Sequence, residues 1–163
     1  MAEYKGLNLV VDGLDSERRG YYEEAKAGRF VVQKCAECGM LRGAIGAGCP
    51  FCTCLEWSWQ QVSGKGTIYS YQIAVNPVQP AFRDWSPYPI ILVELDEQRN
   101  VPWNNGEEGE TVSVRVVANL VTRDDPMRPE AEENVKIGER VEVVFVDLDD
   151  TAALPQFRLA ASN

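Results

Sequence analysis

Apolar and polar positions alternate with a period of two through most of the second half of this chain. Residues 56–62 alternate around Trp57 and Trp59, and the segment 63–66 breaks the pattern with two glycines. Thr67, Tyr69, Tyr71, Ile73 and Val75 then share one predicted face. Residues 90–95 are apolar almost throughout, Val112, Val114 and Val116 line one face of the next segment, and Val141, Val143 and Phe145 line another. Residues 154–160 read as the last strand. Five or six short strands separated by polar turns predict a small barrel or sandwich. Closing the sheet removes its exposed edges, and the OB-fold is the common five-stranded solution.

The first half reads differently. Residues 1–13 are expected to be an irregular or weakly extended arm. Asp15 is a candidate cap for a helix over 16–27, with Gly28 as its stop signal. Leu14, Tyr21, Tyr22 and Ala25 form an incomplete apolar stripe, and so short a helix needs a surface to dock on. A strand over 30–34 leads into residues 35–54, which hold all five cysteines. Two organisational units follow: residues 1–54, with arm, helix and cysteine ribbon, and residues 55–163, the barrel. Two long loops, 76–89 and 123–134, interrupt the barrel; the first is rich in proline and aromatics, the second is charged and is expected to be mobile.

Cysteine spacing carries the strongest chemical signal. Cys35-Ala-Glu-Cys38 and Cys49-Pro-Phe-Cys52 are two matched pairs with ten residues between them. Two residues between thiolates let one tight turn aim both sulfurs at a point, and two facing turns supply the tetrahedron of a closed structural zinc site. Gly39, just after the first pair, suits the positive φ that closes such a turn. The short gap predicts a compact, rubredoxin-like ribbon, and iron is the alternative on the same four ligands. Disulfides would need an oxidising compartment. Residues 1–10 show no basic region followed by a long apolar stretch, so no signal peptide is expected, and an odd cysteine would be left over. Cys54 is read as a half-buried free thiol. The glycine-rich tip, residues 43–48, lacks the strand–loop–helix setting of a phosphate cradle and is read as a flexible turn.

Composition narrows the chemistry. The 163 residues contain no histidine, which removes Ser–His and Cys–His nucleophile systems and histidine-bound catalytic zinc. No apolar run approaches a membrane span, so a soluble, cytoplasmic protein is expected. Residues 1–54 carry seven basic and seven acidic side chains; residues 55–163 carry nine against eighteen, which accounts for the whole net charge of −9. Trp57, Trp59, Tyr69, Tyr71, Trp85 and Trp103 suggest a base-stacking platform, but stacking works together with a positive groove. Residues 55–120 hold four basic and eight acidic side chains, so core packing is the better account.

The order of parts resembles the acyl-CoA-associated zinc-ribbon/OB-fold family, long catalogued as a domain of unknown function. The likeness rests on a tyrosine-bearing helix, the four-cysteine ribbon, Leu55-Glu-Trp, Val62-Ser-Gly-Lys-Gly-Thr-Ile-Tyr-Ser, residues 87–95, Ile137-Gly-Glu-Arg-Val-Glu-Val-Val-Phe and Leu154-Pro-Gln-Phe. It runs from about Tyr21 to Leu159. It departs at Thr53-Cys54, where a Gly-Ser pair is frequent in the family, and in the longer acidic insert at 123–134.

The resemblance implies a mainly β fold, an N-terminal helix and ribbon followed by a five-stranded OB-fold barrel, and a role without catalytic residues of its own. Members of this family support thiolase-like enzymes, including steroid side-chain aldolases, and help enclose the acyl-CoA thioester. It therefore implies structural zinc on Cys35, Cys38, Cys49 and Cys52, a thiolase-like partner subunit and a heterotetramer, in steroid side-chain or aromatic catabolism. Lys65 and Arg83 are candidates for the CoA phosphates. Tyr21 and Tyr22 are candidates for partner docking, with packing across the ribbon as the alternative. Phe82, Trp85 and Tyr88 are candidates for contact with a partner's substrate tunnel, with packing on one end of the barrel as the alternative. Two competing functions remain: a single-stranded nucleic-acid binder on the same fold, and a free-standing zinc-ribbon adaptor.

Overall fold

The computed structural model describes residues 2–9, 11, 16–103 and 108–161. Its centre is a five-stranded antiparallel sheet built from β6 (Lys65–Ala74), β7 (Tyr88–Leu95), β10 (Arg115–Asn119), β11 (Arg140–Asp147) and β12 (Ala153–Leu159), in the order β10-β7-β6-β11-β12. The two ends of this sheet meet. Leu120 bridges Phe157 in parallel, and the Val121 N–H donates to the Phe157 carbonyl at 2.8 Å. This is the connectivity of an OB barrel, nearly closed, so little strand edge is left unpaired.

The alternation expected in the sequence fills this barrel. Along β7, Pro89, Ile91, Val93 and Leu95 point inward, and the last three meet Ile68, Val116, Val141 and Phe157 in one core. The phase predicted for β6 does not hold. A bulge between Ile68 and Ser70 inserts Tyr69 as an extra residue, so Thr67 pairs with outward Glu94 while Tyr71 pairs with buried Ile91. Such a bulge swaps the two faces of the strand beyond it.

A second sheet, β4-β3-β5, is the ribbon: β3 (Val31–Cys35), β4 (Leu41–Arg42) and β5 (Trp57–Gln61). The segment around Trp57 and Trp59 thus pairs with β3 rather than with the barrel, and the ribbon sheet runs past residue 55. Period two identifies a strand but not its neighbour. Ribbon and barrel also share a core, since Phe30, Val32 and Leu41 pack with the barrel's interior.

Helix α1 (Ser16–Lys26) ends as expected: the Arg29 N–H reaches back to Glu24 O and the Gly28 N–H to Ala25 O, both at 2.9 Å. The expected cap Asp15 and stripe residue Leu14 lie outside the described residues. Where an irregular arm was expected, β1 (Ala2–Tyr4) and β2 (Leu7–Leu9) form a hairpin. Lys5 and Gly6 at its tip both have positive φ, 51° and 75°, which a two-residue type I′ turn requires. Tyr4 from this hairpin packs with Trp85, Val121, Val146 and Leu148 in a second apolar cluster. A short pair, β8 (Val101–Pro102) with β9 (Thr111–Val112), precedes β10. The charged loop at 123–134 is tied down: Thr122 N–H donates to Arg128 O and Glu130 N–H to Leu120 O, each at 2.9 Å.

Candidate metal centre and its docking on the barrel

The four predicted cysteines converge. Their sulfurs all lie within 4.8 Å of one another, Cys35 Sγ is 3.5 Å from Cys52 Sγ, and Cys38 Sγ is 3.6 Å from Cys49 Sγ. A disulfide would need about 2.05 Å. Four sulfurs at about 2.3 Å from a central ion define a tetrahedron with edges of about 3.8 Å, so these two pairs already sit near that spacing.

The two cysteine turns are built alike. Each opening cysteine carbonyl accepts from the N–H four residues on (Gly39 to Cys35 at 3.1 Å, Thr53 to Cys49 at 2.9 Å). Each opening cysteine N–H donates to the carbonyl five residues on (Cys35 to Met40 at 3.0 Å, Cys49 to Cys54 at 2.8 Å). The residue after each closing cysteine is left-handed, with φ of 72° at Gly39 and 64° at Thr53. A β-branched residue is strained there, by about 1–2 kcal/mol. The second turn therefore keeps the geometry of the first with the wrong residue for it.

Burial disfavours ionisation of the Cys35 thiol. Hydrogen bonds to its sulfur from the Cys38 and Glu37 backbone and from the Cys52 and Cys38 thiols nevertheless bring it down to about 6. Burial pushes Cys38 up to about 12. Four thiolates fill a tetrahedron and leave no open position for a substrate. The arrangement can fix a fold but not activate water. Cys54, half-buried, points its thiol at the Glu56 carbonyl, 3.6 Å away.

Two contacts seat this centre on the barrel. The buried Gln98 side chain accepts from the Leu41 N–H at 2.8 Å and donates to the Leu41 carbonyl at 3.2 Å. It pairs with β4 much as a neighbouring strand would. Gly43 lies so close to β10 that a Cβ there would be 1.7 Å from the Arg115 carbonyl oxygen. The tip expected to be a flexible turn is thus a docked surface. Buried Gln33 and Arg42 hold it from the other side, each bonded to the Gly46 backbone. Glycine richness was the only available signal for this, and Gln98 had none.

The remaining candidates are dispersed. Tyr21 faces Phe30 and Trp59 at centroid distances of 6.2 and 6.4 Å and packs on the shared core. Burial raises its hydroxyl pKa. Tyr22 packs on the second cluster. Phe82, Trp85 and Tyr88 pack on one another at 5.6–5.9 Å, with Phe82 stacked on Tyr88 and Trp85 edge to face with both and with Tyr4, and Trp85 is buried. Exposed Lys65 opens β6, whereas exposed Arg83 belongs to the segment beyond the strand's far end. The ten residues of β6, roughly 30 Å of extended chain, lie between Lys65 and the start of that segment. The aromatics make no continuous platform: Trp57 and Trp59 pair on the ribbon, Trp103 packs on Phe51, and Tyr69 lies under the Arg115 guanidinium at 3.6 Å.

Comparison with known proteins places this architecture. Residues 59–146 match the family model described as the ChsH2 C-terminal OB-fold domain. In the solved Ltp2-ChsH2(DUF35) aldolase, one chain is 32% identical with a TM-score of 0.66, and the likeness covers 91% of this chain and 98% of that one. A DUF35 domain-containing scaffold protein of Methanothermobacter thermautotrophicus is 29% identical over 113 residues, 69% of this chain and 68% of that protein. A probable enoyl-CoA hydratase alpha subunit of Thermomonospora curvata is 34% identical over 140 residues, 86% of this chain. This chain spans only 36% of that relative's length.

Proposed function

Because this chain belongs to the DUF35 family, with the OB-fold domain of ChsH2, we propose that it is a non-catalytic subunit of a thiolase-like enzyme acting on an acyl-CoA. The observation that carries this reading is the near full-length likeness to one chain of a two-protein aldolase. The name of the archaeal relative, a scaffold protein, agrees with it. So does the chemistry of the chain: it has no histidine, and its clustered thiols form a closed ligand set. In this reading Cys35, Cys38, Cys49 and Cys52 hold structural zinc. The partner carries the nucleophile and general base, and a carbon–carbon bond is made or broken in the partner's site. A two-plus-two heterotetramer follows if the partner is a dimer. Aromatic or steroid side-chain catabolism is the metabolic setting that the resemblance implies.

The test is to co-express this chain with the source organism's protein most similar to the Ltp2 subunit. The expected result is co-elution, about one zinc per copy of this chain by metal analysis, and retro-aldol or thiolytic activity in the complex but not in this chain alone. Turnover of a CoA ester by the isolated chain would refute the reading. The Thermomonospora curvata relative favours a second one, in which this fold serves an enoyl-CoA hydratase. Hydration of an enoyl-CoA by the complex, without carbon–carbon cleavage, would select it.

A further inference from the structure

Strand β7 is apolar on both faces. Its inward set fills the barrel, but its outward set, Tyr88, Ile90, Leu92 and Glu94, is three-quarters apolar as well. An antiparallel strand with one face in water normally alternates, and a strand apolar on both faces is normally covered on both. The register lines these outward residues up across three strands. Val117 of β10, Leu92 of β7 and Ser70 of β6 form one row, and Asn119, Ile90 and Gln72 form the next. Val117 is 71% exposed, and Ile90 and Leu92 are only half-covered. A shallow groove of about 320 Å³ runs over these rows. The third row is charged but internally paired: Arg115 bonds Glu94 at 2.9 Å and stacks on the bulged Tyr69.

An apolar centre, a rim of neutral polar side chains and charge only at the margin is the anatomy of a protein–protein contact. We propose that this outward face of β6, β7 and β10, centred on Ile90, Leu92 and Val117, is where the thiolase-like subunit docks. This rests on the reading under Proposed function and adds the surface to it. Charge selects the occupant. The chain carries −9, so a second copy would bring like charge against like, and a polyanion would be repelled at longer range. A different polypeptide with an apolar facing surface and a neutral or basic rim fits both the patch and the field around it.

The test compares Val117→Asp with Ser58→Asp, binding to the co-expressed Ltp2-like subunit being measured by titration of the purified proteins. Ser58 is also exposed and lies on β5 of the ribbon sheet rather than on the barrel, so its replacement adds the same charge on another sheet. Val117→Thr keeps the β-branched shape and guards against loss of fold. Expected are a weakening of about tenfold or more for Val117→Asp, a smaller loss for Val117→Thr, wild-type affinity for Ser58→Asp, and unchanged melting temperatures. If wild type binds and Val117→Asp binds equally well, the face is wrong and the subunit reading stands. If wild type binds no Ltp2-like subunit, the subunit reading falls and takes this proposal with it. A wild-type dimer of this chain alone that Val117→Asp converts to monomer would assign the face to a second copy and overturn the proposal.

Discussion

Two glycines, four residues apart, separate conformational strain from steric strain. Gly39 has a φ of 72° with nothing within 4 Å of where a Cβ would sit. Gly43 has the opposite problem, a Cβ position inside the Arg115 carbonyl. Gly39→Ala should therefore cost about 1 kcal/mol, the penalty of a left-handed residue with a side chain. Gly43→Ala should cost about 3 kcal/mol, the upper part of the overpacking range, because the obstructing atom is backbone. Urea midpoints at constant m-value would resolve the two. Thr53→Gly runs the first experiment backwards. Relief of the strained turn outweighs the added freedom of the unfolded chain, so that variant should gain about 0.5 kcal/mol and lose the proposed metal more slowly to a chelator. Asp96 supplies the pH-dependent counterpart. The Arg140 guanidinium hydrogen-bonded to it holds its carboxyl below the usual carboxylate range. The folded pKa lies below the unfolded one, so the contribution is present above the unfolded value, near 3.9, and is lost as the pH falls through the folded one. Both side chains are more than a third exposed. Asp96→Asn should therefore cost under about 1 kcal/mol at neutral pH, with no difference from wild type in acid.

At the scale of elements, the join between β4 and the barrel depends on a side chain. Gln98 bonds both backbone groups of Leu41 from 57 residues away. Gln98→Ala should leave those buried groups unpaired, at a cost of about 2 kcal/mol. Hydrogen exchange at Leu41 should accelerate before exchange at β7 does. This contact also shows where sequence reading stops. The cysteine turns were legible because their chemistry is local, with ligands three apart and a glycine one residue on. The barrel strands were legible because burial imposes a period of two. Their phase in β6 was not, since nothing near Tyr69 announces a bulge that is set by pairing with β7. The β1–β2 hairpin was missed because three-residue strands are too short for periodicity to register, although Lys5-Gly6 between Tyr4 and Leu7 was the available turn signal. The partners of Gln98 and Gly43 depend on how two sheets meet, and no local pattern encodes that.

At the scale of the whole molecule, the ribbon and the barrel share one apolar core, which predicts that they unfold as one cooperative unit. Phe30, Val32 and Leu41 on the ribbon side share a core with Ile68, Ile91 and Phe157 of the barrel. The Phe30 and Phe157 rings meet edge to face at 5.6 Å. Helix α1 lies across the same seam, with Tyr21 on the shared core and Tyr22 on the second cluster. The four cysteines fix the turn on which β3 and β4 depend, and β4 carries Leu41 into the core. Metal binding to a set that does not exist in the unfolded chain is folding free energy. Stripping the proposed metal with a chelator should therefore lower one cooperative melting transition. It should not split off an early ribbon transition from an unchanged barrel. Hydrogen exchange would locate the effect. Protection in β6 and β7, which contain no cysteine, should fall together with protection in β3. If β6 and β7 kept full protection while β3 lost it, the ribbon would be an independent appendage, and the shared core would be a contact without energetic coupling.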